Sequence, residues 1–151
     1  MTSSSQAQPG QTPVPSAEAQ ALHRALFTLD SHIDIPWPNR GDAFEDTETR
    51  RVDLPKMQKG GMSAGCFVAY IAQAMVNAEG HAQAQAQCLA MLDVINGMEG
   101  THNGVTARVC STVAEITAAY EAGVLAVIPA VENGYAMGDN PAVLAQFRAK
   151  G

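Results

Sequence analysis

The sequence has no apolar run approaching the roughly 18 residues that a bilayer span requires, which excludes a membrane-spanning helix as its organising element. It is poor in positive charge, with nine Lys and Arg against fifteen Asp and Glu and a formal net charge of -6. Without a basic stripe to neutralise phosphates, nucleic acid and anionic membrane surfaces are excluded as partners. Aromatic residues make up only 5% of the chain. Cysteine is scarce as well. Cys66, Cys88 and Cys110 are odd in number and far apart, so a disulfide framework is not expected and three buried free thiols are. No Gly-rich phosphate loop is present, since Gly60-Gly61 follows a helix pattern rather than a strand, and a dinucleotide site is rejected. No basic segment leads into an apolar stretch at the N-terminus, as a secretory signal would require. A reducing, cytoplasmic location is the expectation, unless an upstream leader has been lost.

What is present fits one domain of 151 residues with an ordinary hydrophobic content of 46%. Residues 1–19 are rich in Ser, Gln, Pro and Thr and read as a disordered tail before a domain over 20–151. A short helix follows from about Glu18 to Leu26, with Ser16 able to cap it. A first strand runs from Phe27 to Ile33, then a long loop from Trp37 to Arg51. Val52 to Gly61 is a helix with Asp53 as N-cap, Pro55 in the first turn and glycines closing it. Met62 to Ala72 is a strand buried on both faces. Ala78 to Met98 is a helix with a stripe of Ala82, Ala86, Leu89, Leu92, Val94 and Ile95. Ala107 to Cys110 is a short strand, and Ser111 or Thr112 caps a helix through Ala122, with Glu115 three residues after Thr112 as in a capping box. Val124 to Val131 is the last strand, and Pro141 to Lys150 a last helix. Strand and helix alternate, the pattern of a parallel α/β fold.

Two places carry chemistry. His32-Ile33-Asp34 ends the first strand, where side chains two apart share a face, so an imidazole and a carboxylate project together. That pair is half of a site for a hard or borderline divalent cation. Glu132 ends the last strand after a largely apolar run, at the C-terminal edge where parallel folds gather catalytic groups. Pro129 just before it cannot donate to a ladder and suggests a bulge or kink. Tyr70, near the end of the second strand, is a substrate-side candidate, although a rim or core tyrosine is the commoner case. His23, His81 and His102 read as solvated surface groups.

Three blocks then form a recognisable set. Asp30-Ser31-His32-Ile33-Asp34-Ile35-Pro36, the stretch from Val52 through Met62 into Phe67-Val68-Ala69-Tyr70, and Val131-Glu132-Asn133-Gly134-Tyr135 resemble the membrane (renal) dipeptidase family of zinc metallopeptidases. The resemblance implies the N-terminal half of a TIM-like (β/α)8 metal-dependent hydrolase barrel, about four βα units. It implies two zinc ions in a complete site, with His32 and Asp34 holding the first and Glu132 bridging both. It implies dipeptide substrates, often tolerated with a D-residue on the C-terminal side, and a hydroxide shared by the two metals as nucleophile. Two histidines for the second zinc, and a further histidine, arginine and aspartate for substrate, belong to the family's later half; His23, His81 and His102 match none of them. The 151 residues alone are therefore expected to hold at most one weakly bound zinc and to be inactive. Half a barrel leaves two open strand edges, which the missing C-terminal half-barrel or a homo-oligomer would cover. The alternatives are a non-catalytic remnant or interaction module, and another metal-dependent amidohydrolase acting on cyclic amides.

Overall fold

The computed structural model describes residues 14–38 and 41–151. Its elements in chain order are α1 (Ala17–Ala25), β1 (Leu29–Asp34), α2 (Leu54–Gly60), β2 (Ala64–Tyr70), α3 (Ala78–Asn96), β3 (Gly100–His102), β4 (Val105–Val109), α4 (Val113–Glu121), β5 (Leu125–Glu132), a 3-10 turn (Gly134–Met137) and α5 (Val143–Ala149). Residues 1–13 of the expected tail, and residues 39 and 40 of the expected long loop, lie outside the described residues. α1 takes in residues 17–19 at the end of that tail, with the Ser16 hydroxyl accepting from the Ala19 N–H.

The helix ends follow from their caps. Asp53 accepts from the Lys56 N–H at the start of α2, and Gly61 closes it in a left-handed conformation that glycine adopts without strain. Thr112 and Glu115 form the expected capping box on α4. Asn77 caps α3 by accepting from Gly80. The stripe of α3 is rotated from the expected one: Ala84, Cys88, Met91, Leu92 and Ile95 are buried, while Ala82 and Ala86 are exposed. Alanine is too small to fix a helix face, so the larger side chains of the second half chose it.

The five strands lie in the order β1-β2-β5-β4-β3. β1, β2, β5 and β4 are parallel, and β3 closes the edge as an antiparallel hairpin partner of β4. That hairpin was not expected, and Gly100 is its first residue. Its signal is Asn103-Gly104, both at positive φ, the two-residue turn that suits hairpin twist. His102 accordingly sits in β3, its ring 4.6 Å from that of Phe44, rather than in a loop.

The strand order explains where the helices go. The chain steps from β2 past the place of β5 to β4, then returns to β5. Right-handed crossovers running in opposite directions must cover opposite faces. Leu54 and Met57 of α2 and Cys88, Met91, Leu92 and Ile95 of α3 pack with Ile33, Phe67, Ala69 and Val127 on one face. Ala119 of α4 packs with Ala64 and Ala126 on the other. α4 covers that second face only near the start of the strands. Its upper part, at the C-terminal strand ends, is left to other groups.

Candidate metal centre

By the alternation of β5 and its unbroken register with β2, Glu132 lies on the same face as Ala126, and Tyr70 pairs with Glu132 on the same rung. Asp34 pairs with Val68 and shares that face. β1 reaches it through an irregularity. From Asp30 to Ile33 the strand takes three steps while β2 takes two from Gly65 to Phe67, so β1 carries one extra residue. Such a bulge re-aims side chains. The Asp30 carboxylate accepts the His32 backbone N–H at 2.9 Å within it.

The three side chains singled out in the sequence meet at this rim. His32 Nε2 lies 3.7 Å from Asp34 Oδ1 and 3.4 Å from Glu132 Oε2. Half of the His32 side chain is exposed, as is a similar share of Glu132, and Asp34 is 87% exposed. Among the described residues no three or more His, Cys, Asp and Glu side chains close into a ready-made metal cage. The arrangement is open, with one imidazole facing two carboxylates. The donor set fits zinc: one neutral nitrogen and two anionic oxygens. Ligand atoms bonded at about 2.0–2.2 Å in a tetrahedron stand about 3.3–3.5 Å apart, close to the two spacings from His32.

Two clefts flank the triad. His32 and Asp34 line one of about 310 Å³ with Pro36, Thr49, Arg51 and Val52. Asp34 and Tyr70 line another of about 320 Å³ with Trp37, Gln87 and Met91. Tyr70 is therefore at the rim, 47% exposed, rather than in the core. The loop after β1 is pinned by a buried carboxylate. Asp53 is ion-paired to Lys56, which also binds Asp46 and the Thr47 carbonyl. Burial alone would push the Asp53 carboxyl up; the hydrogen bonds from the Lys56 ammonium, the Lys56 N–H and the Thr47 N–H outweigh it and hold it below the usual range.

The other histidines stay apart from the triad. His23 Nε2 is 2.9 Å from the Gly60 carbonyl and ties α1 to the end of α2. His81 is half-buried, its ring packed edge-on against Tyr135 with centroids 5.1 Å apart. All three cysteines are free; Cys88 and Cys110 are buried and Cys66 is half-buried. Sequence reasoning passed over Asp30, Asn133 and Tyr135. The signals were a carboxylate two residues before His32, and an Asn-Gly pair directly after Glu132.

Solved structures share this fold. The probable dipeptidase PvdM from Pseudomonas aeruginosa matches with a TM-score of 0.74 at 18% identity, over 89% of this chain and 35% of that one. An amidohydrolase from Pseudomonas aeruginosa matches with a TM-score of 0.58 at 19% identity, over 87% of this chain and 34% of that one. The chain thus spans about a third of the length of the structures it matches, and at such identities the likeness is one of fold. A comparison with curated proteins found no match. The profile of the membrane dipeptidase family, Peptidase family M19, matches residues 16–151, and the chain belongs to that family.

Proposed function

We propose that this chain carries the first-cation ligands of a zinc-dependent dipeptidase: His32, Asp34 and Glu132. The supporting observation is the meeting of these three at the C-terminal strand ends, with the imidazole 3.4–3.7 Å from each carboxylate. A divalent cation held there would polarise the scissile carbonyl and make a water nucleophilic at neutral pH. His32 offers the Nε2 lone pair of a neutral imidazole. Asp34 and Glu132 offer two negative charges that balance a dication. Three protein ligands leave a coordination position for substrate or water, as catalytic zinc sites require. Glu132 has a second carboxylate oxygen with which to bridge to a second cation, whose own ligands the described residues do not supply. Tyr70 stands on the rung of Glu132 and lines the cleft beside Asp34, where a dipeptide side chain or terminus would lie.

The substrate class, by this reading, is a dipeptide. The experiment is hydrolysis of a dipeptide panel and a cyclic-amide panel, with and without zinc. It is run on the 151-residue chain and on any longer product whose reading frame continues past Gly151. Dipeptide turnover by the longer product and none by the short chain is the expected result. Cleavage of cyclic amides without dipeptides would overturn it in favour of another amidohydrolase. Zinc binding without turnover by any form would favour a non-catalytic remnant.

A further inference from the structure

We infer that Asn133 is the positioning residue that aims the Glu132 carboxylate at His32, an inference that rests on the metal-ligand reading above. The Tyr70–Glu132 rung is the last of the β2–β5 ladder, so regular pairing ends at the very residue whose side chain must be placed. The next residue, Asn133, has φ 78° and ψ 116°, a conformation that strains a non-glycine residue. Such a conformation persists only where surrounding bonds over-determine it.

Those bonds are visible. The Asn133 carboxamide Nδ2 donates to the Ile71 carbonyl at 2.8 Å, and its Oδ1 accepts from the Tyr135 N–H at 3.0 Å. The Ile71 N–H in turn donates to the Glu132 carbonyl at 3.4 Å. Residues 132 and 133 are therefore tied to both backbone groups of Ile71, which is buried just past the end of β2. One turn later the Tyr135 hydroxyl donates to the Met75 carbonyl at 2.5 Å, locking the same two loops a second time. The backbone under Glu132 is thus fixed from both sides, while its side chain is about half exposed.

A turn alone does not need this residue. Glycine at 133 would adopt the same backbone without strain. Aspartate would keep the acceptor for Tyr135 but has no donor for Ile71. Only a planar carboxamide makes both bonds. A residue directly after a ligand and bonded across to the neighbouring strand end does the work that outer partners do at metal sites, where their loss weakens binding by about 10–100-fold.

The test compares Asn133→Gly and Asn133→Ala with the parent chain in three measurements: calorimetric titration with zinc, thermal unfolding, and a metal-free crystal structure. The expected result is at least a ten-fold loss of zinc affinity in both variants. Melting temperature should be held or raised in the glycine variant, and the His32–Glu132 separation should grow by more than 1 Å in its structure. A merely structural role would leave affinity and separation unchanged in Asn133→Gly, and that outcome overturns the inference. Should the parent chain bind no zinc, that result bears on the metal-ligand reading alone, and the crystallographic separation still decides the role of Asn133.

Discussion

His32 and Glu132 stand 3.4 Å apart although their strands are not neighbours: β2 runs between β1 and β5. Two strand spacings are about 9.5 Å, so both side chains lean over β2 to meet. Long side chains and the extra residue in β1 make that reach available. The polypeptide thus brings a base and an acid together without a hydrogen bond between them. Groups held for folding would be expected closer.

From this follows the first expectation. Glu132→Gln and His32→Ala should each lower zinc affinity at least ten-fold, read by calorimetry. Stability should change by no more than about 0.5 kcal/mol, because the side chains are half exposed and carry no core packing. Unfolding of either variant in the melting curve would instead make the triad a structural element.

Much of this was legible beforehand for definite reasons. Asp53, Pro55 and Gly61 mark a helix by local chemistry alone, and every expected strand or helix end falls within two residues of its place. His32 and Asp34 share a face because of strand period, and Glu132 joins them because parallel strands end at one rim. The order of the strands was not legible. Nothing local in Val105–Val109 says that it lies outside β5 rather than between β2 and β5. The rotated stripe of α3 was hidden for a related reason, since Ala and Gln pattern a helix face weakly. The clamp by Asn133 depends on contact with Ile71, a tertiary fact that no window of sequence contains.

Acid should loosen the loop after β1. The Asp53 carboxyl is held below its ordinary value of 3.8, so its contribution is present above that pH and is lost as pH falls through the lower folded value. Lys56 runs the other way. It is raised by its hydrogen bond to Asp53 and then by Asp46, so its contribution is complete below 10.5 and fades as pH rises through the higher folded value. Asp53→Ala should cost about 1–2 kcal/mol at neutral pH from the lost cap. Asp53→Asn keeps the cap and should chiefly flatten the fall in stability below about pH 4. Chemical denaturation at pH 7 and pH 3.5 measures both; an unchanged acid slope in Asp53→Asn would refute the assignment.

Gly80 is a close-approach glycine. A Cβ there would strike the Met75 carbonyl and the Tyr135 hydroxyl, and the first of these is backbone that cannot swing away. Gly80→Ala replaces a poor helix former with the best one, which by propensity alone would add about 1 kcal/mol. The collision should reverse the sign, with a net loss of about 1–3 kcal/mol. Faster amide exchange is expected at Met75 and Asn77, where the β2–α3 loop is pushed off Tyr135. A stabilised Gly80→Ala with unchanged exchange would show that the loop is not clamped as described.

The three thiols should differ in reactivity by access more than by chemistry. Burial pushes Cys88 up to about 11, and burial followed by Asp30 raises Cys66. Cys110 is raised by burial first and then by Glu115, with Arg108 opposing and Glu99 adding least. At pH 8 none holds much thiolate, so alkylation of the folded chain should be slow throughout. Cys66, half-buried in β2 on the face that carries the triad, should react first, while Cys88, on the buried side of α3, and Cys110 beside α4 wait for unfolding. Iodoacetamide labelling followed by peptide mass mapping gives the order directly. One modified site in the native chain and three in urea is the expected pattern. Early labelling of Cys88 would mean that α3 does not cover the sheet, and with it the packing that sets the height of β2 and β5 beneath the triad would have to be redrawn.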